Sequence, residues 1–116
     1  AEDYVEAMWL MLQQKKADDF VISSGKTHTV KDFINKAAKY YGFDLIWQGR
    51  GLKEIALDKK TKKIIVRIDK KYFRPTEVNY LYGNSSKAKK VLKWSPKTNI
   101  DQLIKKMCDY EISKHK

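Results

Sequence analysis

Cysteine is nearly absent from this chain, and the one residue present, Cys108, excludes an internal disulfide. A lone thiol fits a reducing compartment, so the cytoplasm is the expected location. Histidine is almost as scarce. His28 and His115, even with Cys108, are too few and too scattered for a metal centre or a Ser-His-Asp or Cys-His catalytic set. No apolar run is long enough to span a bilayer and no secretory signal pattern is present, so no membrane partner is expected. Without secretion, the Asn84-Ser85-Ser86 sequon is a chance match. Acidic residues are the minority, 14 against 25 Lys and Arg, which leaves a net charge of +11. That excess fits an anionic partner: nucleic acid, a membrane surface or a phosphorylated small molecule. The lysines nevertheless run from Lys15 to Lys116, and their densest cluster, Lys59-Lys60-Thr61-Lys62-Lys63, reads as the solvated tip of a hairpin.

What is present is enough for one small domain. A chain of 116 residues falls short of the several hundred that a cofactor-binding fold with its own substrate region takes. It opens Ala1-Glu2-Asp3 without Met and enters a helical pattern at once, as expected of a cut through a longer polypeptide. Residues 4–14 read as a helix with Val5, Met8, Trp9 and Leu12 on one face. Residues 20–23 read as a short buried strand. Thr29 caps a second helix, with Asp32 three residues on, and Val30, Phe33, Ile34, Ala37, Ala38 and Tyr41 form its apolar side until Gly42 ends it. Residues 44–47, 54–57 and 63–68 read as strands, the last two flanking the basic hairpin tip. Residues 78–82 read as a further strand ended by Gly83. Ser85 or Ser86 caps a short helix through Leu92, and Asn99 with Gln102 caps the last one, whose expected buried stripe is Ile100, Leu103, Ile104 and Met107. No repeat or linker divides the chain, and the fold class is α/β or α+β.

Several motifs carry less chemistry than their letters promise. Gly49-Arg50-Gly51 is followed by Glu54 where a dinucleotide fingerprint needs its third glycine, so it reads as a loop. Tyr110 and Lys114 have the Tyr-x-x-x-Lys spacing of a proton-transfer pair, but they lie at the C-terminal end with no cofactor-binding half before them. Cys108 continues a helix face beside Met107 and reads as a small core residue.

The informative stretch is Tyr72-Phe73-Arg74-Pro75-Thr76-Glu77-Val78. Pro75 holds Arg74 in an extended backbone, so its guanidinium projects from a stiff base. A guanidinium fork binds phosphate oxygens in pairs, and Glu77 offers a carboxylate for two neighbouring ribose hydroxyls. On spacing alone, a surface ion pair explains the same two residues.

Asp3-Tyr4-Val5-Glu6-Ala7-Met8-Trp9, Ser24-Gly25, Thr29-Val30-Lys31-Asp32-Phe33 and the stretch from Tyr72 to Val78 occur in order. Gly83-Asn84-Ser85-Ser86-Lys87-Ala88-Lys89 and Leu92-Lys93-Trp94-Ser95-Pro96-Lys97 follow. This series resembles the C-terminal third of the GDP-mannose 4,6-dehydratase family, which are extended short-chain dehydrogenases/reductases. The resemblance implies that residues 1–116 are a single C-terminal substrate-binding subdomain, with the Rossmann half outside the chain. It implies a homo-oligomeric parent enzyme that uses NADP to convert GDP-mannose to GDP-4-keto-6-deoxymannose. It places the catalytic residues in the preceding part of the family's chain and gives this chain none. Arg74 would contact the GDP diphosphate and Glu77 the ribose hydroxyls, with loops around Gly25 and residues 47–51 near the nucleotide. Two positions depart from the family pattern: Asn84 stands for an Asp, and Lys93 for a Gly before Trp94. Helix faces that meet the cofactor-binding half would be bare in this chain alone. The competing reading is a small basic nucleic-acid-binding module, which would show strongly salt-dependent binding.

Overall fold

Residues 1–116 are described by a computed structural model. Three helices, α1 (Glu2–Leu12), α2 (Val30–Tyr40) and α3 (Ile100–Lys114), accompany three short strands, β1 (Leu45–Gln48), β2 (Ile55–Asp58) and β3 (Ile64–Arg67). The strands form one antiparallel sheet in the order β1-β2-β3, so the chain mixes α and β without a parallel βαβ unit. It divides into two units, Ala1–His28 with Tyr80–Leu103 and Thr29–Asn79 with Ile104–Lys116. No helix is long and apolar enough to cross a membrane.

The first unit is built around Trp94, 1% exposed, with Ala7, Ala88 and Leu92 buried against it. Ala7, Leu10 and Met11 are the inward face of α1, and Phe20 and Ile22 pack on the same cluster. This reverses the apolar face expected from periodicity. Val5 and Met8 are exposed, as are Trp9 at 60% and Leu12 at 82%. Ala7, fully buried, lets α1 approach the Ala88–Leu92 turn closely there, with Leu10 and Met11 on either side of the contact.

Neither strand expected in this unit forms. Residues 20–23 and 78–82 form no strand and join no ladder. Two hydroxyls link the segments instead: Ser23 Oγ donates to the Gly83 carbonyl at 2.6 Å, and Thr27 Oγ1 to the Leu81 carbonyl at 2.7 Å. A Cβ on Gly83 would lie 2.6 Å from the Ser23 Cβ, so this approach requires glycine. The short helical turn starts at Ser86 and widens to a π-wound turn over Ala88–Leu92. Its capping oxygen comes from Asn84, which accepts from the Ser86 N–H at 3.0 Å and from the Ser86 hydroxyl. Ser85, one of the two serines expected, stands just before the turn with its carbonyl accepting the Lys89 N–H at 3.0 Å, but the capping side chain is that of Asn84. α3 starts on a reciprocal capping box: Gln102 N–H donates to Asn99 Oδ1 at 2.8 Å and Asn99 N–H to Gln102 Oε1 at 2.9 Å.

In the second unit, α2 begins as its sequence indicates, with the Asp32 N–H on Thr29 Oγ1 at 3.0 Å. Gly42, at φ +85°, takes the left-handed position just beyond its end. The sheet register pairs Trp47 with Ala56 and Ala56 with Val66, which buries Ala56 fully. Trp47 donates its indole N–H to Asn35 Oδ1 at 2.8 Å, and Lys31 covers its ring while pairing with Glu54 at 2.5 Å. On α3, Ile104 and Cys108 are buried, whereas Leu103 and Met107 are exposed, so the expected stripe is narrower than its apolar residues.

Candidate functional site

The path to the site starts where β3 ends. Asp69 turns the chain by accepting the Lys71 N–H at 2.9 Å, which starts a 3-10 turn over Lys70–Tyr72. Phe73 then leaves in an extended conformation, φ −70° and ψ 129°, and Arg74 follows directly before Pro75. These segments enclose an open groove of about 650 Å³, within the size range of small-molecule sites. Arg74, Glu77, Tyr72 and Phe73 line it, together with Val30 from the start of α2 and Arg67 from the end of β3.

Arg74 Nε lies 3.9 Å from Glu77 Oε1, and the two side chains are 80% and 63% exposed. That distance is longer than a hydrogen bond. An exposed pair of this kind contributes at most about 1 kcal/mol to stability. The groups are thus held side by side without saturating one another, and each keeps free donors or acceptors for a ligand. A guanidinium and a carboxylate at this spacing can take an anion and a vicinal diol at once.

The other motif residues fall elsewhere. Gly49 and Gly51 sit in the connection of the β1–β2 hairpin, which passes through a 3-10 turn at Gly51–Lys53. A dinucleotide site needs a strand running into a helix N-terminus, so these residues do not fit NADP. Trp47 is committed to Asn35 and does not line the groove. Tyr110 and Lys114 stack on the surface, with the ammonium 4.4 Å from the ring centre and also 3.8 Å from Glu111. Lys59, Lys60 and Lys62 occupy the β2–β3 hairpin tip, whose turn is organised by Asp58. Its carboxylate accepts from the Thr61 hydroxyl at 2.7 Å and the Thr61 N–H at 3.1 Å, and the hydroxyl contact chiefly holds its pKa below the usual carboxylate value. Arg67 and Val30 reach the groove from β3 and α2; Arg67 lies in no motif, and Val30, expected on the apolar side of α2, is instead exposed to the groove.

Comparison with known proteins gives these local features a family. The family model described as GDP-mannose 4,6 dehydratase matches residues 1–107. A GDP-mannose 4,6 dehydratase of Dictyostelium discoideum is 51% identical over 97% of this chain and 32% of its own length. The human protein of that name is 43% identical over 97% of the chain and 30% of its length. GDP-mannose 4,6 dehydratase 1 of Arabidopsis thaliana is 45% identical over 97% and 26% respectively. The chain thus spans about a third of the length of the curated relatives it matches. None of these matches points to a nucleic-acid-binding module. With its family match running from α1 through the groove into α3, the chain belongs to the GDP-mannose 4,6 dehydratase family.

Proposed function

We propose that this chain supplies the GDP-mannose-binding portion of a cytoplasmic, NADP-dependent lyase that converts GDP-mannose to GDP-4-keto-6-deoxymannose. The observation that carries the reading is the placement of Arg74 and Glu77 side by side, 3.9 Å apart, on a groove open to solvent. Arg74 takes oxygens of the diphosphate by paired, charge-assisted hydrogen bonds, and Glu77 accepts from the two ribose hydroxyls. Together they fix the nucleotide handle of the substrate, so that the sugar is presented in one orientation. NADP supplies the hydride chemistry in the whole enzyme, and its binding residues, like the catalytic ones, belong to the part of the family's sequence outside residues 1–116. The same reading makes those 116 residues one substrate-binding subdomain of an extended short-chain dehydrogenase/reductase, working within a homo-oligomer.

Titration of this chain with GDP, followed by NMR shifts, tests the reading. The shifts should centre on residues 67–78. Arg74→Ala should weaken GDP at least tenfold, roughly the value of a lost charged hydrogen bond. Lys60→Ala, which removes the same charge at the hairpin tip, should leave the affinity within about twofold. Glu77→Ala should erase any preference for GDP over its 2′,3′-dideoxy analogue. Equal losses from Arg74→Ala and Lys60→Ala would place the nucleotide elsewhere. Tighter binding of a random oligonucleotide at physiological salt would favour the basic-module reading.

A further inference from the structure

The groove that carries Arg74 and Glu77 contains a second guanidinium. Arg67 closes β3, where it faces Ile55 across the ladder, so its backbone is fixed by the sheet while Arg74 projects from a loop. The charges lining the groove are Arg67, Asp69, Arg74 and Glu77. Asp69 turns an oxygen to the Lys71 N–H, and Glu77 lies beside Arg74. Arg67 takes part in no ion pair or side-chain hydrogen bond. It is therefore the one groove cation not already facing a carboxylate.

One guanidinium fork serves two oxygens of one phosphate. A nucleoside diphosphate brings two phosphates and more negative charge than a single arginine balances, and Arg74 is in addition partly neutralised by Glu77. We infer that Arg67 is the second anion contact of the groove, binding the phosphate that Arg74 leaves free and making the site selective for nucleoside diphosphates over monophosphates. This inference rests on the nucleotide reading of Arg74 and Glu77. Its position on a paired strand suits the role, because a contact on a rigid element selects by distance where a flexible lysine selects only by charge.

The test is a set of GDP and GMP titrations on this chain, comparing wild type with Arg67→Gln, Arg67→Lys, Arg74→Gln and Lys63→Gln. Lys63 lies beyond the opposite end of β3 and controls for the lost charge. Wild type should prefer GDP to GMP by about tenfold. Arg67→Gln should weaken GDP by at least about fivefold while GMP stays within about twofold, so that the preference collapses. Arg67→Lys should restore part of it, and Lys63→Gln should change neither ligand. A wild-type GDP-to-GMP ratio in Arg67→Gln, with Arg74→Gln impaired, overturns the inference and leaves the nucleotide reading standing. Equal weakening of both ligands by Arg67→Gln and Lys63→Gln reduces Arg67 to a general charge effect and also overturns it. If GDP fails to bind wild type, or binds Arg74→Gln unchanged, the nucleotide reading falls and the inference with it.

Discussion

Trp94 donates its indole N–H to the Asp3 carbonyl at 2.9 Å, and the Asp3 carboxylate in turn accepts the backbone N–H groups of Thr98 at 2.9 Å and Lys97 at 3.0 Å. Lys97 adds an ion pair to Glu6 at 3.1 Å. The sequence segments around Asp3 and Trp94, more than ninety residues apart, are therefore two halves of one clasp that fastens α1 to the chain before α3.

Asp3→Ala removes the acceptor for two backbone donors and should cost about 1–3 kcal/mol. Asp3→Asn keeps an acceptor oxygen without the charge and should cost less. Urea unfolding of the three proteins gives the ranking. An Asp3→Ala midpoint equal to wild type would mean that water replaces the carboxylate without loss.

Lys93 occupies the left-handed region, φ +54° and ψ 29°, at the end of the π-wound turn. A side chain there meets its own backbone, at a cost of about 1–2 kcal/mol. Lys93→Gly relieves that strain but enlarges the freedom of the unfolded chain. The net expectation is a gain of about 0.5–1 kcal/mol. Lys93→Val should destabilise, because β-branching aggravates the same clash. Thermal unfolding of both variants checks the pair, and a destabilised Lys93→Gly would contradict the strain.

What could be read from the chain beforehand was mostly local. Thr29 with Asp32, Gly42, and Asn99 with Gln102 act within one helical turn, and each performs the role its spacing indicates. Arg74 and Glu77 are also close in sequence, so their proximity followed from a three-residue step. Strands at residues 20–23 and 78–82 failed because a strand exists only with a partner, and hydroxyl groups of Ser23 and Thr27 take the carbonyls instead. Periodicity found a face on α1 but could not say which side is covered, since Ala7 is a weak hydrophobic signal and still the most buried residue of the helix. Arg67 was illegible for the same reason: its relation to Arg74 depends on where β3 ends, not on spacing.

The outward face of α1 has a direct consequence for behaviour in water. Val5, Met8, Trp9 and Leu12 form a contiguous apolar stripe at helical spacing, all of them more than half exposed. Patches of this kind on a soluble chain drive association. The isolated 116-residue chain should sediment with a concentration-dependent mass, and Trp9→Glu with Leu12→Lys should shift it to monomer without changing its circular dichroism. Unchanged association in that double variant would move the contact to another surface.

A cluster joining α2 to α3 sets the pH response of the second unit. Asp109 accepts from the Lys105 ammonium at 2.6 Å and from the Tyr40 hydroxyl. Lys105 is the larger influence in holding the Asp109 carboxyl below its usual value, against the opposing effect of burial. The same hydrogen bonds push Tyr40 and Lys105 above theirs. A lowered carboxyl contributes stability above its unfolded value, and that contribution is lost as pH falls through the lower folded one. Raised Tyr and Lys groups contribute below their unfolded values, and that contribution is lost as pH rises through the higher folded ones. The cluster is thus intact between about pH 5 and pH 9 and weakens on both sides. Urea midpoints measured across pH should show Asp109→Asn making both limbs shallower, and Tyr40→Phe flattening the alkaline limb together with the smaller part of the acid limb that its hydroxyl contributes through Asp109. Asp58→Asn, whose partner is the Thr61 hydroxyl and not a titrating base, should affect only the acid limb. The groups are exposed, so added salt should shrink the Lys105 share. An alkaline limb unchanged in Asp109→Asn would mean that Tyr40 and Lys105 draw nothing from that carboxylate in solution.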